Sequence, residues 1–191
     1  MFEILRNQIE KIMPVSEEDM DRLKAIHQIK KVKKGQILLF EGQVCTQTYY
    51  IVKGCLRVYR IDNNGDEHVL KFGIENWWIN DGESYSNQQP SKSYIEALED
   101  SDLIAFDESK FSSLLSSAPS LKKLSEDQIT RSQIAMTERI YEQISLSAEI
   151  RYNNFIKKYP NIFNRVPLHM IASYLGVSKK TLSRVRSQHS S

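Results

Sequence analysis

The residues best placed to do chemistry in this 191-residue chain lie in one short stretch, PLHMIASYLGVSKKTLSRVRSQ, from Pro167 to Gln188. Wound as a helix from Lys179, this stretch puts Leu182 and Val185 on one side. Lys179, Lys180, Ser183, Arg184 and Ser187 spread over the opposite arc, with Arg186 at its edge. An aliphatic face that can be buried, backed by a basic and hydroxylic face without acids, suits a helix that enters the DNA major groove. Lys and Arg neutralise phosphates or donate to guanine O6 and N7, and Ser reaches phosphates or base edges. The pattern assigns Lys179 and Arg184 to base edges, and Ser178, Lys180 and Thr181 to phosphates.

The preceding residues supply the support such a helix needs. Ile171, Ala172 and Leu175 share one face of a shorter helix, and the small Ala172 lets another helix cross closely. Gly176 can take a positive φ and turn the chain sharply. Val177 plugs the corner, and Ser178 can cap the second helix. Charge points the same way. The chain holds 26 Lys and Arg against 24 Asp and Glu, but residues 151–191 carry eight basic side chains and no acidic one. That leaves 18 basic and 24 acidic residues in front, so a +2 total conceals a tail of +8 behind a body of −6. A basic segment on an acidic chain predicts a polyanionic partner.

Other chemistries lack their residues. Cys45 and Cys55 fit no zinc or iron–sulfur spacing and read as small buried residues of a strand region. A metal-dependent β-barrel enzyme would need a cluster such as two His and a carboxylate. Only His27 and His68 lie near the barrel region, and neither has a ligand-spaced partner. No enzyme, metal or cofactor is expected. No run of 18 apolar residues predicts a membrane span. The N-terminal MFEILRNQIEKIM lacks the basic start, apolar middle and cleavage site of a secretory signal, so a cytoplasmic location is expected.

The elements that must position the basic helix read as α+β. Apolar residues at Phe2, Leu5, Ile9 and Ile12 predict a first helix, and Ser16 caps a second that ends near His27. Short apolar runs follow, at Gln36–Phe40, Thr48–Lys53, Leu56–Ile61, Glu67–Phe72, Tyr94–Glu99 and Leu103–Phe106. Glycines mark their corners, and Asn63-Asn64-Gly65 is a hairpin signal. A short helix is expected over Asp107–Leu115, and a long one from Pro119 to about Ser145. The long helix has an imperfect stripe of Leu121, Leu124, Ile129, Ile134, Met136, Ile140 and Ile144, which a helix from a second copy would cover. Helices over Ala148–Tyr159, Leu168–Leu175 and Lys179–Gln188 complete the chain.

In order and spacing these segments resemble the Crp/Fnr family of catabolite-activator-like regulators over nearly the whole chain. KKGQILLFEGQ resembles the family's opening β-roll strands, YYIVKGCLRVYR its next hairpin, and NNGDEHVLKFG the hairpin and strand that follow. IASYLGVSKKTLSRVR resembles its helix-turn-helix. The resemblance implies a cyclic-nucleotide-binding-like jelly roll, or double-stranded β-helix, with flanking helices over 1–117. It implies a dimerisation helix over 118–145 and a helix-turn-helix domain over 146–191. It further implies a homodimer on inverted-repeat double-stranded DNA, with RNA polymerase as a candidate partner.

The effector end departs from the family pattern. Nucleotide-binding members hold the ribose with a Gly-Glu-Leu-type turn and grip the cyclic phosphate with an Arg ten residues after the Glu. In WWINDGESYSNQQPSKSYIEAL, Asp81 falls at the Glu position and Ser91 at the Arg position, with Lys92 one place off. A buried phosphate needs a cation, so no response to cyclic AMP is expected. Trp77 and Trp78 fall at the expected pocket rim, and Met136 and Thr137 fall near positions facing the pocket. A reduced wing is expected over Asn161–Val166. The competing reading is a ligand-sensing or protein-interaction module whose helical tail does not read DNA.

Overall fold

Consecutive buried residues in Thr48–Ile51 and Leu103–Phe106 require a core on both faces of a strand. The computed structural model, which describes residues 1–160 and 162–189, supplies both cores. Two antiparallel four-stranded sheets face each other. One has the order β1 (His27–Val32), β8 (Ser101–Asp107), β3 (Gln47–Lys53), β6 (Trp78–Ile79). The other has the order β2 (Ile37–Leu39), β7 (Tyr94–Ala97), β4 (Leu56–Ile61), β5 (Glu67–Gly73). Tyr49, Ile51, Leu56, Val58, Ile95, Leu103 and Ala105 fill the space between them.

The alternate residues Tyr50, Ile104 and Phe106 belong to a second core outside the roll. There they meet α1 (Phe2–Ile12), α2 (Glu17–Ile26), α4 (Glu108–Ser117) and the first turns of α5 (Pro119–Ser145). Ser16 caps α2 as expected, its Oγ accepting from Asp19 N at 3.2 Å. The Asn-Asn-Gly segment makes the expected β4–β5 hairpin, with Gly65 at φ 87° and Asp62 accepting from the N–H groups of Asn64 and Asp66. Both cysteines are buried and free, and burial pushes the Cys55 thiol up to about 12.

Three elements have no counterpart in the sequence expectations. β1 follows α2 without a turn, and α3 (Gly82–Asn87) and the two-residue β6 stand between β5 and β7. β1 is an edge strand carrying Lys30 and Lys31, so it lacks the apolar alternation of a half-buried strand. The 27-residue α5 buries only Leu121 and Leu124, and Ile129, Ile134, Met136, Ile140 and Ile144 are exposed. No helix among the described residues is long and apolar enough to cross a membrane.

A third core joins the roll to the C-terminal helices α6 (Ala148–Lys158), α7 (Leu168–Leu175) and α8 (Lys179–His189). Val69 and Phe72 of β5 contribute to it from the roll, and Tyr152, Phe155, Tyr159 and Tyr174 from the helices. Phe72 alone lies 5.3–6.2 Å, centroid to centroid, from the rings of Phe155, Tyr159 and Tyr174. The C-terminal head is therefore mounted on the outer side of the β5 edge.

Candidate DNA-binding interface and effector region

The turn between α7 and α8 forms as its residue types require. Gly176 sits at φ 64° and ψ 40°, the left-handed conformation that ends helices, and its N–H donates to Ser173 O at 3.1 Å. Val177 N–H donates to Ala172 O at 3.0 Å and its side chain packs on the head's core. Ser178 Oγ accepts from Thr181 N at 3.0 Å, satisfying one of the free N–H groups at the start of α8. The Ser178 and Thr181 hydroxyls also bond each other at 2.9 Å.

Leu182 and Val185 are buried against Ile171, Ala172 and Leu175. Lys179, Lys180, Ser183, Arg184 and Ser187 are exposed, and Thr181 is half-buried. All seven residues assigned to DNA from sequence thus sit on α8 or at its cap. Among the described residues, no carboxylate pairs with Lys179, Lys180 or Arg184. Ser187 Oγ donates to Arg184 O at 2.8 Å, and the Arg186 guanidinium lies 5.5 Å from the Phe163 ring centroid. Of the expected wing, Ile162–Asn164 forms a single 3-10 turn, and Asn161 lies outside the described residues.

The effector candidates are not gathered into one pocket. The two tryptophans diverge. Trp77 packs on Tyr159 in the head's core at 5.4 Å, whereas Trp78 packs on Tyr50 and Phe106 on the opposite side of the roll, at 5.4 and 5.6 Å. Asp81 and Ser91 do meet. Ser91 Oγ donates to Asp81 Oδ2 at 2.6 Å, and Ser91 is buried. Asp81 also caps α3 by accepting from Ser84 N, and Ser91 Oγ accepts from Ser93 N. Lys92 points to Glu83 at 3.7 Å on the surface. Met136 and Thr137 are exposed on α5, with Thr137 Oγ1 donating to its own helix at Gln133 O. Two pockets lie at this end of the roll. One of about 150 Å³ is lined by Lys30, Gln43, Cys45 and Tyr49 among others, and one of about 260 Å³ by Thr46, Gln88 and Asp107 among others. None of the seven effector candidates lines either.

Three cations escaped the sequence reading. Lys71 on β5 donates to Trp78 O at 3.2 Å, and burial lowers its pKa, aided by Lys158. Arg165, just before α7, forks onto two carboxylates of the roll. It meets Glu75 at 2.8 and 3.0 Å and Glu99 at 2.6 Å. Arg139 on α5 donates to Val69 O at 3.1 Å, Tyr174 O at 2.8 Å and Leu70 O, with its guanidinium 4.0 Å from the Tyr174 ring centroid. Burial lowers the pKa of Arg139. The contacts of Arg165 and Arg139 join residues between 35 and 90 positions apart, so no local spacing announces them.

Comparison with known proteins agrees with this architecture. Residues 29–118 match the cyclic nucleotide-binding domain family. No curated protein matches the sequence. FixK2 from Bradyrhizobium japonicum superposes with a TM-score of 0.76 at 15% identity, covering 85% of this chain and 84% of that one. The c-di-GMP-responsive global regulator CLP of Xanthomonas campestris gives 0.71 at 13% identity, covering 92% of each chain. A protein from Eubacterium rectale, described as a transcriptional regulator of the Crp/Fnr family, gives 0.69 at 18%, covering 90% of this chain and 82% of that one. At these identities the likeness is one of fold. Residues 29–118 are thus similar to the cyclic nucleotide-binding domain family, and with the long helix and the α7–turn–α8 head that follow, the chain has the fold of the Crp/Fnr transcriptional regulators.

Proposed function

We propose that this protein is a cytoplasmic, homodimeric transcriptional regulator that reads inverted-repeat double-stranded DNA through α8, and that it does so without responding to cyclic AMP. The observation that carries the reading is the exposed face of α8. Lys179, Lys180 and Arg184 project from a helix whose other side is locked into the head by Leu182 and Val185. Cations left without carboxylate partners on an acid-free surface favour phosphates and base edges.

The exposed stripe of α5 supports a dimer. Met136 is 67% and Ile144 80% exposed, on the same helix as Ile129, Ile134 and Ile140. A parallel α5 from a second copy would bury these side chains and set the two heads side by side. RNA polymerase is the partner such a regulator would meet on DNA.

The nucleotide half of the proposal rests on Asp81 and Ser91. At the two positions where the family resemblance would put a ribose-binding acid and a phosphate-binding Arg, this chain closes a hydrogen bond from a serine hydroxyl to its own carboxylate. A cyclic phosphate placed there would lose its water and gain no cation.

The test is to select bound sites from random DNA and then titrate salt. The expected result is a palindromic site whose affinity falls steeply with salt, and is unchanged by cyclic AMP. A protein that retains no DNA at low salt would leave the tail as a protein-interaction module instead.

A further inference from the structure

We infer that Arg139 and Arg165 are positioning residues that fix the orientation in which the α7–α8 head is presented, and so set the spacing between the two half-sites the dimer accepts. The inference rests on the DNA reading above and adds to it the source of its geometry.

The covalent joint alone cannot fix the head. Between α5 and α6 stand only Leu146 and Ser147, both extended, and rotation about such a joint would swing the head freely. What holds it is the non-covalent contact with the roll. β5 is the last strand of its sheet, so its outward N–H and C=O groups have no strand to pair with. The head supplies the missing partners. Ser173 Oγ accepts from Val69 N at 3.0 Å and donates to Glu67 O at 3.0 Å, so α7 stands where another strand would otherwise add.

Arg139 ties this contact to the dimer helix. Its one guanidinium bonds backbone carbonyls on β5 and on α7 while its own backbone belongs to α5. Sensor edge, reading head and dimer helix therefore meet at a single side chain. Its acceptors on β5 and α7 are all neutral carbonyls, which stabilise a desolvated cation less than a carboxylate would. Geometry explains the residue type. A planar fork with five N–H groups can reach several carbonyls at fixed angles, and a Lys ammonium cannot. Arg165 makes a second tie, from the segment before α7, bracing the head against two loops of the roll through Glu75 and Glu99. With the head tied at two separate points, Val69–Leu70 and Glu75 with Glu99, it cannot pivot about one tie without straining the other. Half-site spacing mirrors the placement of the two heads, so braces that fix the heads also fix the spacer.

The experiment uses the full chain as wild type, R139A, R139K, R165A and the E75Q/E99Q pair. Each is bound to inverted repeats of the selected half-site whose spacer changes one base pair at a time, and to a lone half-site. Hydrogen exchange of β5 is followed without DNA, with β3 and β8 as the check that the roll stays folded. Wild type should favour one spacer. The variants should keep half-site affinity but lose about tenfold of that preference, the scale of a typical coupling. They should also exchange faster at Val69, and R139K should behave as R139A. Folded variants that keep the wild-type spacer profile would overturn the inference, even if β5 opens, because docking would then not position the head. R139K matching wild type would overturn the role given to the fork. Should wild type bind no repeat at all while β5 still opens in the variants, the DNA reading fails and the brace survives.

Discussion

The two helices of the C-terminal pair are built alike and used differently. Both are short and amphipathic, and both bury aliphatic residues in the same core. The outer side of α7 is spoken for. Ser173 bonds β5, and Tyr174 carries both a ring stack and a carbonyl for Arg139. The outer side of α8 meets no carboxylate through Lys179, Lys180 or Arg184, and most of it is exposed. The difference separates two jobs within one small head. One helix holds the head to its own chain, and the other, on the proposed reading, offers its cations to DNA. Substitutions on α7 should therefore alter stability and docking, and those on α8 should alter recognition.

The largest effect is expected on the docked side. Tyr174→Ala removes a buried ring that touches Phe72, Phe155 and Tyr159 and supports Arg139. It should cost about 3 kcal/mol in denaturant unfolding, within the range for large aromatic truncations. A loss below about 0.5 kcal/mol would mean the head is not cored on the roll, since that is the scale of an ordinary surface change.

On the free side, Arg184→Ala should leave the unfolding midpoint unchanged, because its side chain is exposed. It should weaken binding to the selected site by about 1–3 kcal/mol and relax one base position. Lys180→Ala should instead weaken all sequences alike and reduce the salt slope by about 1. If the two substitutions behaved identically, the split between base and phosphate contacts along α8 would be wrong.

Smaller again is Ser173→Ala, which deletes two hydrogen bonds to the β5 edge. About 1 kcal/mol is expected, visible as faster amide exchange at Val69 with DNA affinity for a half-site intact. Equal protection in both proteins would show that α7 only rests on the strand.

The mildest probe is acid. Burial raises the Glu75 carboxyl, but hydrogen bonds from Arg165 and Gly54 N–H outweigh it and hold the carboxyl below the ordinary range. A depressed folded pKa stabilises the folded form above the unfolded value and loses that contribution as pH falls through the folded value. The head's contact with the roll should thus be complete above about pH 5 and weaken below about pH 4. Trp77 packs on Tyr159 across this contact, so its fluorescence should report the change, and Glu75→Gln should flatten it. The basic face of α8 has no carboxylate to titrate and should show no matching transition.

Much of this was legible residue by residue. Pro119 opening α5, Ser16 and Ser178 as caps, Gly65 in the hairpin and Gly176 at the helix turn each act through their own backbone or the next few residues. The basic face of α8 was legible because a helix maps sequence spacing onto direction. β1 and β6 were not, since an edge strand rich in lysine and a two-residue strand carry no alternation to detect. The tryptophans show the limit most clearly. Adjacent in sequence, Trp77, just before β6, and Trp78, its first residue, enter different cores, and nothing local in the sequence assigns either to its core.

The sequence by itself determined the basic and aliphatic faces of α8, the turn that orients it, and Asp81 and Ser91 at positions where the family resemblance would put an acid and an Arg. These depend on side-chain type at short separation, where backbone geometry is already known. The tertiary structure alone decided that Asp81 and Ser91 bond each other, that β5 is the edge on which the head sits, and that Arg139 and Arg165 bond across that contact. Each of those outcomes depends on which distant segments come to share a desolvated space, and that choice is made by the packing of the whole chain.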